Sequence, residues 1–424
     1  MNKTKEIYVT GFALFSMFFG AGNLILPPFL GKNAGNLWSW VTIGFFITAV
    51  FIPILGILAH AKLQGTMYDF GKKVSPVFSS IYCFIVYAIS IALPAPRTAS
   101  VTHEMAIAPY FNSSSLITST FYFALVFLFA INRTKVLSLL GKFLTPLIIL
   151  ILLAIIFIGM FTAPEIINPS TFKTPFINGL LEGYQTFDAI GAVVVGGILV
   201  ISLSFNKKSS FKDKKELITK AGFIAGFGLL IIYAGLIYNG ALFNSIFNNT
   251  ATRSEILSDL STQTLGNIGT VFLSVLVALA CFTTAVGIIT GTADYIKGIT
   301  NNSKKTYKIT AFIGCIIGVL VGQFDVSYII NIALPALMFI YPITIILIIL
   351  NVVPNKFTPA FVFKTVVLVT FIFSIPDFLA FIIDKKHLTE IIAFIPLANQ
   401  HLGWVLPAII AFILTNILST KKLA

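Results

Sequence analysis

The sequence is poor in charged side chains and in the residues that most often build reactive sites. Of its 424 residues only 10% are charged, three are cysteines and four are histidines, whereas 57% are hydrophobic. This composition excludes an ordinary soluble globular domain and indicates a polytopic membrane protein. The three cysteines, Cys83, Cys281 and Cys315, lie in apolar runs without metal-ligand spacing, so we expect them to be small core residues.

Several functional classes lack the residues that they require. The sequence contains no phosphate-binding loop and no nucleophile–base or metal-ligand set, so it predicts neither ATP hydrolysis nor another enzymatic reaction. It contains no repeated filter motif that would indicate an ion channel. No cleavable signal peptide is evident, because the first apolar run is too long for one. We therefore expect a membrane protein that is not an enzyme and needs no cofactor.

Twelve apolar runs are long enough to cross a hydrocarbon layer about 30 Å thick. No long linker separates them, which predicts a single transmembrane domain. The third run contains Pro94 and Pro96 and should be kinked. The predicted spans are residues 7–29, 38–61, 76–108, 116–132, 139–162, 176–204, 217–243, 267–296, 307–323, 326–351, 357–381 and 390–419.

Lysine and arginine are distributed unequally between alternate connecting segments. With the N-terminus inside, the cytoplasmic segments contain 21 of these residues and the outer segments contain five, which are Lys32, Lys173, Arg253, Lys385 and Lys386. The positive-inside rule then places both termini in the cytoplasm. This topology and contact with anionic lipid explain the net charge of +13, so we expect the lipid bilayer and no nucleic acid as a partner.

The stretch FFGAGNLILPP, from Phe18 to Pro28, interrupts the first predicted span. Gly20, Gly22 and Asn23 favour a break there, which exposes backbone groups that only protein or a water-filled cavity can satisfy. The N–H groups after a break suit a carboxylate, and the carbonyls before it suit a cation. The alternative is a small-residue notch that packs against a neighbouring helix.

Asp188 lies near the middle of the sixth predicted span. A carboxylate at bilayer depth is costly and usually lines a site or a water path, and the alternative is a hydrogen bond to a neighbouring helix. The two interruptions are five spans apart, so their helices cross the membrane in opposite directions. This spacing predicts an inverted repeat, with five helices in residues 7–162, five in residues 176–351, and two additional helices in residues 357–419.

Two other sets of polar residues lie within predicted spans. Thr283 and Thr284 are adjacent hydroxyls in the eighth span, and they suit a small hard cation unless they only bond carbonyls one turn back. Arg97 follows the proline kink of the third span, and an intramembrane arginine needs a partner or water. Glu104 is seven residues further on, on the same helix face, so the two residues form either a gate on the outer vestibule or a structural pair.

Four separated motifs resemble those of a known transporter family. They are GFALFSMFFGAGNLILPPFLGKNAG (Gly11 to Gly35), LPAPRTASVTHEMAIAP (Leu93 to Pro109), EGYQTFDAIGAVVVG (Glu182 to Gly196) and ALACFTTAVGIITGTADY (Ala278 to Tyr295). Over its whole length the chain is similar to the branched-chain amino acid transport system II carrier family, which belongs with the amino acid–polyamine–cation transporters. The resemblance implies a five-plus-five inverted-repeat fold with two extra helices, and cation-driven import of leucine, isoleucine and valine across a bacterial-type cell membrane.

The first motif also resembles the first-helix motif of neurotransmitter–sodium symporters, in which the break holds the substrate carboxylate and sodium. By this resemblance we expect backbone N–H groups near Gly22 and Asn23 to bind the substrate carboxylate. Carbonyls of the sixth-span break, with Asp188 nearby, would bind the ammonium. The predicted substrate-binding residues are Phe19, Gly20, Ala21, Gly22, Asn23, Tyr184, Phe187 and Asp188.

The coupling ion is predicted to be sodium rather than a proton. Backbone carbonyls before the first break and threonine hydroxyls supply the oxygen atoms that sodium needs, and the predicted sodium ligands are Phe18, Gly20, Asn23, Thr283 and Thr284. A proton would need a titratable carrier, and Asp188 is the only well-centred carboxylate. We therefore predict an alternating-access symporter of branched-chain amino acids, and the alternative is a proton- or sodium-coupled symporter of another small neutral amino acid.

Overall fold

Every regular element among the described residues is helical, as the composition predicts. The computed structural model describes residues 3–132, 135–164, 166–204, 211–383 and 388–421, so Lys385 and Lys386 of the predicted outer segments lie outside the described residues. The first part contains α1 (Lys3–Phe18), α2 (Ala21–Leu24), α3 (Leu26–Ala34), α4 (Trp38–Phe46), α5 (Ile52–Leu63), α6 (Met67–Gly71), α7 (Pro76–Ala92), α8 (Pro94–Thr102), α9 (Ser115–Ile131) and α10 (Lys135–Thr162). The second part contains α11 (Pro175–Tyr184), α12 (Asp188–Ser204), α13 (Phe211–Leu242), α14 (Arg253–Ile299), α15 (Lys304–Gly322), α16 (Val326–Val352), α17 (Ala360–Leu379), α18 (Thr389–Phe394) and α19 (Val405–Lys421).

Eight continuous helical stretches of the described residues are long and apolar enough to cross a membrane. Two shorter apolar helices, Ser115–Ile131 and Val405–Ser419, correspond to the fourth and twelfth predicted spans. The first and sixth predicted spans are not continuous, and the segment after the first break runs on into the second span as Leu26–Leu63. An all-helical membrane fold is therefore confirmed, whereas the count of twelve spans stays a prediction.

The last predicted span, residues 390–419, is wrong as one continuous helix. Residues 395–404 lie between α18 and α19 and contain no α-helix. Leu397 and His401 have φ angles of 66° and 57°, a left-handed conformation that an α-helix does not contain. Pro396 has no backbone N–H and removes a helical hydrogen bond at the same point.

Two other spans bend at residues that favour a break. The third span divides at Leu93, where φ is −122° and ψ is −69°, and Pro94 begins α8, so the predicted kink is confirmed. Inside α14 the chain leaves helical geometry at Gly266, where φ is 70° and ψ is −177°, angles that favour glycine. The membrane-length part of α14 therefore follows Gly266, in agreement with the predicted start of the eighth span at residue 267.

Glycines bring the segment after the first break into direct backbone contact with α13. A methyl group at Gly31 in α3 would overlap the backbone carbonyl of Ile237 in α13. A methyl group at Gly240 in α13 would overlap the backbone carbonyl of Pro28 in α3. Each helix therefore contributes one glycine, and any side chain at either position would push the two helices apart.

The segment before the second break packs on the second span in the same manner. A methyl group at Gly44 in α4 would overlap the carbonyl of Phe176 in α11, and one at Gly179 in α11 would overlap the carbonyl of Val41 in α4. Close backbone approach through small residues is how helices pack in a membrane, where lipid gives no hydrophobic drive for association. These two contacts fix the position of α11 and hence of the break that follows it.

The buried apolar side chains form two clusters, and the two breaks belong to different clusters. Phe18 and Phe19 lie in the first cluster with Tyr233 of α13. Tyr184 and Phe187 lie in the second cluster. Polar groups that join the breaks therefore lie at the boundary between the two apolar clusters.

Candidate functional site

The first break lies between α1 and α2 and consists of Phe19 and Gly20. Gly20 is extended, with φ −83° and ψ 143°, and its N–H donates to the Phe18 carbonyl at 2.8 Å. The Gly20 carbonyl accepts the Asn23 backbone N–H at 2.9 Å, and the Asn23 side-chain amide donates to the Phe18 carbonyl at 3.1 Å. The break is therefore closed by its own residues, and the Phe18 carbonyl already accepts two donors.

The second break, Gln185 to Phe187, separates α11 from α12. Phe187 has a φ of 60°, which is rare for an aromatic residue, so tertiary contacts must maintain it. The Thr186 hydroxyl donates to the Gly183 carbonyl at 2.8 Å and accepts the Asp188 N–H at 3.2 Å. A side chain thus replaces one of the helical hydrogen bonds that the break interrupts.

A buried hydrogen bond joins the two breaks. The Asn23 side-chain Nδ2 donates to Asp188 Oδ1 at 2.9 Å, and Tyr233 Oη in α13 lies 3.4 Å from the same nitrogen. Asn23 is 3% exposed and Asp188 is 4% exposed, so water competes little with this contact. These distances bring the first and sixth interruptions into direct contact.

Several buried polar atoms at the junction of the breaks have no hydrogen-bond partner among the described residues. They are Asp188 Oδ2, both side-chain amide atoms of Gln185, and the Tyr341 hydroxyl. A buried polar atom without a partner costs about 1–3 kcal/mol, and more if it is charged. Such a concentration at one place indicates a position for a polar ligand, an ion or water.

Aromatic rings surround the junction on both sides. Phe19 stacks on Phe15 with ring centroids 4.8 Å apart and lies 6.4 Å from the Tyr233 ring. Tyr184 stacks on Tyr341 at 4.4 Å. The three predicted aromatic residues, Phe19, Tyr184 and Phe187, are all buried beside the breaks, and Phe19 and Tyr184 are held by other rings.

Arg97 and Glu104 make no direct contact with each other in the part of the chain that the structure describes, and their predicted role as a gate or a structural pair stays a prediction. Arg97 Nη1 donates to the Gln185 carbonyl at 2.8 Å, and its guanidinium lies 5.4 Å from the centre of the Phe187 ring. Glu104 instead accepts the Val326 N–H at 2.8 Å.

The physical reason is distance, together with a nearer partner for each residue. Seven residues of helix separate the two Cα atoms by about 10 Å along the axis, so the side chains do not need to meet even on the same face. Glu104 also accepts the Ser254 hydroxyl at 2.5 Å, which anchors it to the start of α14. Arg97 therefore supports the second break, and Glu104 connects the helix ends around it.

The two threonines of the eighth span differ in their surroundings. The Thr283 hydroxyl donates to the Ala280 carbonyl at 2.9 Å, the common local bond of a membrane threonine. Thr284 Oγ1 has no hydrogen bond within the described part of the chain, and it would lie 3.9 Å from a methyl group placed on Gly20. The structure therefore brings Thr284, rather than Thr283, to the first break.

The remaining predicted residues, Ala21 and Gly22, form the first two positions of α2. Their backbone is helical, and the first N–H groups of a helix have no acceptor within that helix.

Sequence reasoning missed three residues of the junction, which are Tyr233, Tyr341 and Gln185, although each is a polar residue within an apolar run. It also missed a buried carboxylate outside the junction. This is Asp377 of α17, which is 2% exposed and whose Oδ1 lies 3.8 Å from His401 Nδ1. Polar residues near the middle of the seventh and tenth spans were the available signal.

Comparison with known families gives one match over almost the whole chain. Residues 3–422 match the family described as branched-chain amino acid transport protein. The branched-chain amino acid permease BraB of Bacillus subtilis is 32% identical over 435 residues, which cover 99% of this chain and 97% of that protein. The branched-chain amino acid transport system 2 carrier protein of Pseudomonas aeruginosa is 32% identical over 421 residues, which cover 97% of this chain and 95% of that protein.

Two solved structures are similar in fold at low sequence identity. The inward-facing conformation of Mhp1 superposes with a TM-score of 0.61 at 11% identity, covering 98% of this chain and 91% of that chain. MhsT in complex with L-phenylalanine superposes with a TM-score of 0.55 at 15% identity, covering 96% of this chain and 98% of that chain. At such identities the likeness concerns the fold alone.

Proposed function

Because this chain belongs to the branched-chain amino acid transport protein family, we propose that it imports leucine, isoleucine and valine by cation-coupled alternating access. The family consists of transport proteins, so the chain is not an enzyme. Family membership and its long apolar helices make it a multi-pass protein of the plasma membrane. The observation that carries the proposal is the junction at which both broken helices meet through Asn23 and Asp188.

The proposed architecture has twelve spans in a five-plus-five inverted repeat with two additional helices. The glycine contacts support it: the first span packs on the seventh through α3 and α13, and the sixth packs on the second through α11 and α4. A shift of five spans exchanges the first span with the sixth and the second with the seventh, so the same two pairs of spans are in contact in both halves. The glycines lie after the break in the first span and before the break in the sixth. The charge asymmetry of the connecting segments supports cytoplasmic termini.

The junction suits a zwitterion with an aliphatic side chain. The N–H groups of Ala21 and Gly22, at the start of α2, would donate to the carboxylate. Asp188 Oδ2, which has no partner in the described structure, would accept the ammonium, and the Gln185 amide is available to either end. Phe19, with the aromatic rings around it, would supply apolar walls.

Competition between amino acids tests the substrate. A hydrophobic pocket separates aliphatic homologues by only about 1–3 kcal/mol per methylene, so all three branched-chain amino acids should compete with one another. The experiment is uptake of labelled leucine into proteoliposomes with excess unlabelled isoleucine, valine, lysine or glutamate. If lysine or glutamate competes and isoleucine and valine do not, the substrate assignment fails. Competition by alanine or serine at the level of leucine would favour the alternative, another small neutral amino acid.

We propose sodium as the coupling ion. Thr284 Oγ1 lies beside Gly20 and makes no hydrogen bond to another described residue. The Gly20 carbonyl retains one lone pair, and the Asn23 side-chain oxygen is close by, so oxygen ligands converge at the first break. Phe18 and Thr283 are weaker candidates, because the Phe18 carbonyl already accepts two donors and the Thr283 hydroxyl is bonded to Ala280.

Replacement of sodium tests the coupling ion. Sodium coupling predicts that uptake at fixed pH collapses when choline replaces sodium on the outside. Undiminished uptake in choline, stimulated by an inward proton gradient, would overturn sodium coupling and assign the carrier role to Asp188. The two results leave the substrate assignment unaffected, since the competition experiment can be repeated under either gradient.

A further inference from the structure

A basic cavity lies at the end of the helix bundle where α14 ends and α15 begins. It has a volume of about 250 Å³ and is lined by Ile131, Lys297, Lys304, Tyr307 and Lys308. Three of the five lining side chains are cationic and none is acidic. On the proposed orientation this is the cytoplasmic end of the protein, far from the junction of the two breaks.

Helix ends of both polarities meet at this cavity. Lys304 is the first residue of α15, a helix of 19 residues whose cap, Ser303, accepts the Thr306 N–H at 3.2 Å. The helices α9 and α14 end at the cavity and place their C-terminal carbonyls there, so its positive potential comes from the lysine side chains. Lys297 belongs to the last turn of α14 and comes from the opposite side.

One wall of the cavity is fixed by a hydrogen bond between helices. The Tyr307 hydroxyl donates to the Ala130 carbonyl at 2.7 Å, near the end of α9. Tyr307 is 8% exposed, so its ring fastens α15 to α9 and does not move to fill the space. The three helix ends therefore hold a preformed space rather than a gap between mobile side chains.

An apolar surface continues from the cavity along α9 and α15. Leu128 is 55% exposed, Ile309 is 47% exposed and Phe312 is 53% exposed, and in a membrane protein such side chains contact lipid tails. A ligand for this place should carry an anionic head for the lysines and apolar chains for the adjoining surface. Free inorganic phosphate would satisfy the first requirement but not the second.

We propose that this cavity binds the phosphate of an anionic phospholipid, whose acyl chains lie along α9 and α15. Basic pockets between transmembrane helices bind anionic head groups in this manner. Lysines that only determine topology need not share a cavity, so their convergence from two helices around a common space requires a further explanation. The bound lipid would connect the end of α14, the helix that carries Thr284, to the membrane surface.

The test compares two triple variants with the same loss of charge. Lys297→Gln/Lys304→Gln/Lys308→Gln removes the cations of the cavity, and Lys212→Gln/Lys214→Gln/Lys215→Gln removes three cations from the start of α13. Native mass spectrometry of the detergent-purified protein, with phosphatidylglycerol or phosphatidylcholine added, counts the bound lipids. The wild type should retain phosphatidylglycerol at least roughly tenfold better than phosphatidylcholine, and only the cavity variant should lose this preference.

Three results would overturn the proposal. Equal retention of the two lipids by the wild type would show that the cavity does not select an anionic head. Equal loss of phosphatidylglycerol in both triple variants would show that lipid retention depends on the total positive charge of the protein and not on the cavity. Displacement of the lipid by millimolar inorganic phosphate, with phosphate retained in its place, would identify free phosphate as the ligand.

Discussion

The two breaks differ in what maintains them. The first consists of two residues, Phe19 and Gly20, has ordinary backbone angles, and is closed by hydrogen bonds among residues 15–23. The second consists of three residues, contains Phe187 at a φ of 60°, and receives the Arg97 guanidinium from the third span. The first break is thus a local property of the chain, whereas the second depends on another helix.

This difference suggests a division of roles at the junction. The first break presents carbonyl oxygens and faces Thr284, which suits the proposed cation. The second presents polar atoms of Asp188 and Gln185 that have no partner among the described residues, which suits the ammonium group of the proposed zwitterionic substrate. Changes at the second break should therefore mainly alter the KM for leucine. Changes at the carbonyls and hydroxyl of the first break should mainly alter the sodium concentration for half-maximal uptake.

The largest effect is expected at Asp188. Asp188→Asn keeps the shape and the acceptor for Asn23 but removes the charge that would bind the ammonium. A hydrogen bond to a charged group is worth about 1.5–3 kcal/mol, so leucine uptake measured as kcat/KM should fall roughly 10- to 100-fold. The measurement is initial uptake by proteoliposomes containing equal amounts of correctly inserted protein.

Asp377→Asn provides the matched control, because Asp377 is also a buried carboxylate of a span, with 2% exposure, and lies outside the junction. It should reduce uptake far less than Asp188→Asn does. Equal losses in the two variants would indicate that any buried acid is needed for folding, and would remove Asp188 from the substrate site.

The next effect tests the support of the second break by Arg97. Arg97→Lys keeps the positive charge but loses the planar fork that donates to the Gln185 carbonyl. The KM for leucine should rise about tenfold while the sodium concentration for half-maximal uptake stays the same. The control is Glu104→Gln, which contacts α14 and α16 instead and should not reproduce this pattern. A matching rise in both variants would favour the predicted gate of Arg97 and Glu104 instead.

A smaller effect should separate the two threonines. Thr284→Val removes the hydroxyl that faces the first break, so the sodium concentration for half-maximal uptake should rise roughly three- to tenfold. Thr283→Val removes only a local bond to Ala280 and should change it little. The comparison is made at saturating leucine, and equal sensitivity of the two variants would contradict the assignment of Thr284 alone.

The smallest effect is expected at Gly20. Its backbone angles suit any residue, and a methyl group would meet only Thr284 Oγ1 at an ordinary distance of 3.9 Å. Gly20→Ala should therefore insert normally and change sodium dependence by less than about threefold. Gly191→Ala, where nothing lies within 4 Å, is the control. Misfolding of Gly20→Ala alone would show that the first break needs glycine after all.

Local signals in the sequence were sufficient to locate the two breaks, at Gly20 and next to Asp188. Glycine, asparagine and a centred carboxylate each mark an irregular backbone at membrane depth. The five-span spacing then placed these residues together, and the structure gives the 2.9 Å bond between them. The kink at Pro94 followed equally directly from the missing proline N–H.

Long-range partners could not be predicted from the sequence. The contact of Arg97 with Gln185 depends on how the third span packs on the sixth, and helical spacing along one segment pointed to Glu104 instead. The predicted start of the last span at residue 390 differs from the helix start at Val405, because hydropathy does not detect the left-handed residues Leu397 and His401. Tyr233 is likewise a contact of tertiary packing, since nothing in its own segment indicates that it faces Asn23.

The glycine contacts between α3 and α13 have a mechanical consequence. Two backbone contacts, at Gly31 and Gly240, fix both the axial position and the crossing angle of α3 relative to α13. A motion of α3 must then carry α13 with it, whereas α1 is joined to this pair only through the non-helical residues Phe19 and Gly20. Alanine at Gly31 or Gly240 should separate the two helices and slow transport, and normal transport by both variants would show that α3 and α13 need not move together.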